Sequence, residues 1–186
     1  MIQPTDAITI DAVVSSTSTT PPSCELRINN VQTTQRVRGR FLAAAFQCEV
    51  GYLVFLTEDY LFEDLLDIYL LDFSGTILDS ANFSSWFEAT GSFEVVELQQ
   101  PDAVSFKFFH LTKYRGDTIW TLRVPKNPRF QVPFISEQTC ISRPFGFTRR
   151  FVITETGDGK IHAPIVAWLL KIVNNCHFKK SPVERV

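Results

Sequence analysis

The chain has 186 residues, 45% of them hydrophobic and 20% charged, a balance that excludes an intrinsically disordered protein and suits a single soluble domain. Eighteen Lys and Arg stand against 20 Asp and Glu, so the net charge of −2 gives no overall field toward nucleic acid or anionic lipid. Seventeen Phe, four Tyr and three Trp favour pleated, half-buried surfaces over helix faces and point to a mostly β protein.

The amino terminus, MIQPTDAITI, lacks a basic start followed by an apolar run, and no stretch approaches the ~18 apolar residues of a membrane helix. A cytoplasmic protein with no membrane association is expected. SSTSTTPPS, residues 15–23, is small, polar and proline-ended. It reads as a linker, which makes residues 1–23 a flexible arm and linker, with residues 1–14 an arm or detached edge strand. Residues 24–178 are expected to form one β-rich domain, and 179–186 a tail.

From Cys24 onward short apolar runs alternate with turn residues. Strands are predicted over 24–29, 36–48, 52–57, 93–98, 129–135 and 148–154. Within the second of these, RVRGRF projects Arg36, Arg38 and Arg40 from one side by period-2 alternation. Three like charges in line repel unless water, acidic neighbours or a partner's carboxylates or phosphates compensate them. One outcome is a solvated edge strand that uses charge to discourage sheet-to-sheet association; the other is a partner-binding row for an acidic protein, with nucleic acid less favoured. Arg143, Arg149 and Arg150 could extend it. TEDYLFEDLL, residues 57–66, is a helical turn or a loop, and its Glu58, Asp59, Glu63 and Asp64 could be internal partners of the row or an acidic surface of their own.

DIYLLDFSGTILDSANF, residues 67–83, reads as a hairpin about Ser74-Gly75. A two-residue loop sets Phe73 opposite Thr76 and Leu71 opposite Leu78, with Tyr69, Leu71, Phe73 and Leu78 on the core face. SFKFFHLTKYRGDTIWTLRV, residues 105–124, turns near Arg115-Gly116 and sets Phe109 and Leu111 beside Leu122 and Trp120. His110, Thr112, Thr121 and Arg123 then share the opposite, wet side. Near the carboxyl terminus Pro164 opens a helical stripe of Ile165, Trp168, Leu169, Ile172, Val173 and Cys176. The fold class expected is therefore an antiparallel sandwich or distorted barrel with one C-terminal helix packed on it.

Catalytic and cofactor signatures are sparse. Around Gly159-Lys160 a phosphate loop would need glycine at Thr154 and a hydroxyl at Ile161, so Gly157-Asp158-Gly159 is better read as a tight turn. Apolar IYLLD, residues 68–72, resembles a nucleotide-fold strand ending in aspartate but is half of a hairpin. No GxSxG elbow occurs. Cys24, Cys48, Cys140 and Cys176 form no CxxC pair, which argues for buried reduced thiols and against a zinc site. Asp72 and Asp79 share a hairpin face at a spacing open to acid–base chemistry, a cation or plain solvation. His110, His162 and His177 belong to no metal or nucleophile signature, and no cofactor or metal is expected. The function expected is a non-catalytic protein-binding module, with a small inhibitor or immunity-type protein as one form of it. A β-barrel carrier of an apolar small molecule and a hydrolase with dispersed residues are the alternatives; an enzyme is the less favoured class.

Overall fold

The computed structural model describes residues 1–15, 20–58, 65–83, 93–108, 118–132 and 140–156. The protein is mostly β, with fifteen strands among these residues. They are β1 (Gln3–Pro4), β2 (Ile8–Val14), β3 (Ser23–Ile28), β4 (Val31–Arg38), β5 (Phe41–Cys48), β6 (Gly51–Thr57), β7 (Leu66–Leu71) and β8 (Ile77–Phe83). There follow β9 (Glu94–Gln99), β10 (Ala103–Lys107), β11 (Ile119–Arg123), β12 (Arg129–Phe130), β13 (Ile141–Ser142), β14 (Thr148–Arg149) and β15 (Val152–Thr156). The helix expected from Pro164 onward, the Gly157–Gly159 turn and the tail lie outside the described residues.

Among the described residues all pairings are antiparallel and no sheet closes on itself: six strands in the order β1-β5-β6-β7-β8-β13, four in the order β15-β11-β10-β9, three in the order β2-β3-β4, and the ribbon β12-β14. β6, GYLVFLT, explains how three of them stack. Its apolar run is buried on both faces. Leu53 and Phe55 point into a core shared with Phe106, Trp120 and Leu122 of the four-stranded sheet. Tyr52, Val54 and Leu56 point the other way, onto Ile8, Leu26, Ile28 and Val37 of the three-stranded sheet. The six-stranded sheet is thus the middle layer, which is why β6 and β7 lack the alternation of a half-wet strand.

Aromatic rings dominate the larger core. Phe55 meets Phe46 and Phe106 edge to face at 5.9 and 5.4 Å, and Phe83 meets Phe106 and Trp120 at 5.8 and 5.1 Å. These separations and tilts are those that the ring quadrupoles prefer, so the rings interlock as well as exclude water.

Several sequence expectations need correction. Residues 1–14 include two paired strands, β1 against β5 and β2 against β3. Buried Ile2 and Ile8 anchor them. The predicted strand 36–48 is two strands, since Gly39 at φ 122° ends β4; a Cβ there would lie 2.6 Å from the Leu56 Cβ. The hairpin at residue 74 keeps the expected register at Leu70 opposite Asp79, but a bulge then brings Leu71 opposite Ile77 in place of Leu78. The connection is a three-residue loop: the Gly75 N–H donates to the Asp72 carbonyl at 3.1 Å and the Asp72 N–H to Thr76 at 2.9 Å. Leu78 consequently packs in the larger core, Tyr69 and Leu71 pack in the smaller one, and Phe73 is 53% exposed.

In the second hairpin Phe106 lies opposite Trp120 and Val104 opposite Leu122. This register is offset by five residues from the tight-turn expectation. An odd offset exchanges the faces, so Val104, Phe106 and Phe108 enter the core. Phe109, His110, Leu111 and Thr112 lie outside the described residues. Thr121 and Arg123 do face away from the core, Thr121 half-buried against Ser105 and Arg123 exposed beside Asp102.

Candidate interaction surface

Arg36, Arg38 and Arg40 take three different environments. Arg36 and Arg38 sit two apart on β4. Arg36 faces its cross-strand neighbour Glu25, Nη2 to Oε1 at 2.9 Å. That hydrogen bond, with a second from Gln32, holds the Glu25 carboxyl below the usual range. Arg38 Nε donates to Glu58 Oε1 at 2.5 Å and lies 3.6 Å from Asp67 Oδ2. Its backbone N–H donates to the Tyr69 hydroxyl at 3.0 Å, while that hydroxyl donates to the Arg38 carbonyl at 3.3 Å. Arg38 therefore ties the three-stranded sheet to the middle layer through both side chain and backbone. Arg40 lies past Gly39, exposed, 5.1 Å over the ring of Phe41.

The acids around Arg38 are buried. Burial pushes the Asp67 carboxyl up to about 6, although the Asn82 amide at 2.9 Å and Arg38 pull it back. Burial likewise raises the Tyr69 hydroxyl, and pushes the Cys24 thiol up to about 11 with help from the Asp67 charge. Of the acids expected as internal partners, Glu58 takes that place; Asp59, Glu63 and Asp64 lie outside the described residues.

Sequence reasoning passed over a second surface. On the small ribbon and the loop leading into β14, Phe130 is 75% exposed, Phe145 73% and Phe147 50%. Phe130 and Phe147 stack with planes 6° apart at 6.0 Å, and Phe145 meets Phe147 edge to face at 5.6 Å. The ribbon pairs Arg129 with Arg149 and Phe130 with Thr148, and the Gln131 N–H adds a bond to the Phe147 carbonyl.

This aromatic loop is held from beneath by buried charge. Asp79 Oδ2 on β8 accepts the backbone N–H groups of Arg150 and Phe151 at 2.7 and 3.3 Å. Arg143 Nη1 stands 3.5 Å from the same oxygen, with side chains of Arg143 and Asp79 only 3% and 6% exposed. The Arg143 guanidinium also covers the Phe151 ring at 4.3 Å. At the other end of the loop, buried Arg149 donates from Nη2 to the Pro144 carbonyl at 3.1 Å. A buried ion pair is a costly way to gain stability compared with apolar packing, so its clear structural effect is to fix geometry. Here it fixes the segment that displays Phe145 and Phe147. It also explains why the predicted strand 148–154 is two: where Asp79 caps Arg150 and Phe151, the chain leaves the ribbon and enters the four-stranded sheet as β15.

The carboxylates read as a possible catalytic pair are engaged separately. Asp72 accepts the Ser74 hydroxyl and the N–H groups of Ser74 and Thr76 at 2.6 to 2.9 Å, which lowers its carboxyl below the usual range, whereas Asp79 is the buried anchor of the aromatic loop. Cys24 and Cys48 are buried free thiols and Cys140 is half-buried. Among the described residues no three His, Cys, Asp or Glu side chains gather in a metal-binding group, and no helix is long and apolar enough to cross a membrane. His110, His162, His177 and Cys176 lie outside the described residues.

Compared with protein-family models, curated proteins and solved structures, the chain has no significant match, so its surface is read from its own residues. The signal for the aromatic surface was local: PKNPRF and RPFGFTRR place Phe among Pro, Gly and Arg, and in the structure β12, far shorter than the strand expected over 129–135, and β14 have two residues each, too few to turn each ring inward.

Proposed function

We propose that this chain is a non-catalytic protein-binding module. The observation that carries this is the cluster of Phe130, Phe145 and Phe147, exposed to water yet held in place by Asp79, Arg143 and Arg149. Exposed, contiguous aromatic surface is unfavourable in water unless something covers it. Rigid aromatic side chains lose little entropy when a partner closes over them, which is why such rings serve as binding anchors. The interlocked rings of the interior support an activity on the outside of the molecule.

Arg36 and Arg40, exposed on either side of Arg38, remain proposed contributors, while Arg38 holds the two layers together. We read the stacked sheets as an elaborated sandwich, closed at one end by the helix expected from Pro164. A reducing, cytoplasmic setting suits the two buried free thiols.

The test is quantitative pull-down with the tagged full chain from its own cells, beside a Phe130→Ser/Phe147→Ser variant. Removing exposed rings should change stability by only about 0.5–1 kcal/mol. The expected result is a stoichiometric protein partner captured by the wild type and lost by the variant. Equal capture by both, or no stoichiometric partner for well-folded bait, contradicts the proposal.

A further inference from the structure

The ribbon differs electrostatically from the rest of the chain. In sequence, residues 125–150 contain Lys126, Arg129, Arg143, Arg149 and Arg150 against Glu137 alone, a net +4; in the fold Glu49 pairs with Lys126, Asp79 faces buried Arg143, and Arg149 is buried, which leaves Arg129 and Arg150. Outside that stretch Arg27 pairs with Asp11, Arg36 with Glu25 and Arg123 with Asp102, at 2.7 to 2.9 Å, whereas exposed Arg40 lies over the Phe41 ring. Arg129 is exposed beside Phe130, and Arg150 is half-buried just after the aromatic loop. Neither has a carboxylate on its side chain among the described residues, although Asp79 takes the Arg150 backbone N–H.

We infer that the partner segment is a short acidic peptide stretch carrying apolar side chains, its carboxylates meeting Arg129 and Arg150 while an apolar group covers Phe130 and Phe147. This rests on the ribbon being the binding face. Arginines neighbouring the exposed rings in the chain suit such a segment, since one ribbon then offers both carboxylate recognition and apolar burial. Exposed Arg129 and half-buried Arg150 select against a basic partner at the ribbon.

The experiment is fluorescence anisotropy on the full chain with a short fluorescein-labelled peptide of alternating Asp and Leu, and with its Lys-Leu counterpart. Phosphatidylserine vesicles, oligouridylate and the self-association of the protein are measured alongside. The Asp-Leu peptide should bind about tenfold or more tightly than Lys-Leu, and weaken about tenfold between about 50 and about 300 mM salt. Arg129→Glu should weaken the Asp-Leu peptide about tenfold, and Phe147→Ser should weaken it as strongly. Equal affinity for the two peptides, indifference to Arg129→Glu, or binding of vesicles, oligouridylate or a second copy in place of the acidic peptide overturns the inference. If the Asp-Leu peptide fails while pull-down of a protein still depends on Phe130 and Phe147, the face stands and its acidic specificity falls. If those rings are dispensable in both experiments, both fall.

Discussion

Asp67 carries the sharpest residue-scale consequence. It sits beneath Arg38 in the seam between two layers, where burial raises its carboxyl from 3.8 to about 6 despite the nearby guanidinium. The folded protein therefore binds this proton more tightly than the unfolded chain does. The associated stability is fully present below the unfolded value and is lost as pH rises through about 6. At about 1.4 kcal/mol per unit, the window is worth on the order of 2–3 kcal/mol from this group alone. Urea unfolding across that range should show wild-type stability rising on acidification from neutral pH toward 5, and a flattened slope for Asp67→Asn. Superimposable profiles for the two proteins would show that Asp67 does not titrate in this window. The carboxyls of Glu25 and Asp72, held below their usual range by hydrogen bonds, act at lower pH and with the opposite sign.

At the scale of elements, what matters is how the aromatic ribbon is mounted. β14 is only two residues long and cannot hold itself in place. Asp79 does that work from β8, through two backbone N–H groups and Arg143. Asp79→Ala leaves Arg143 buried without that carboxylate, a change that costs about 3–5 kcal/mol in comparable buried pairs. Denaturant unfolding should register that loss, and limited proteolysis should cut residues 143–150 earlier than the rest of the described chain. Unchanged stability together with an uncut loop would mean that the ion pair does not hold the ribbon. The same elements show what was legible in the sequence. The 67–83 hairpin was readable through Leu70 and Asp79 because the turn at Gly75 is short, and only the bulge at Leu71 escaped. The 105–124 hairpin was misread because a long connection leaves the register to core packing, which selects Val104 and Phe106. For the aromatic ribbon the sequence offers only the local setting of Phe among Pro, Gly and Arg, and pattern alone cannot tell an exposed Phe from a buried one. The arginine row was legible as a strand feature, yet its partners Glu25 and Glu58 lie 11 and 20 positions away and meet it only through sheet pairing and layer packing.

For the molecule as a whole, the three stacked layers separate interior from exterior. Most of the described aromatic side chains fill the space between the middle sheet and the four-stranded sheet, and the exposed trio lies on a ribbon outside those layers. That division makes Phe147 a different kind of residue from Phe73, which is also half exposed but leans on Tyr52 at a hairpin turn, 5.5 Å away edge to face. The most direct measurement replaces each in turn with a photo-crosslinking phenylalanine analogue in living cells. A covalent adduct to one defined protein from position 147, with none from position 73, is the predicted result. The same adducts from both positions, or none from position 147 in protein that is folded and abundant, would contradict the assignment of the ribbon as the binding face.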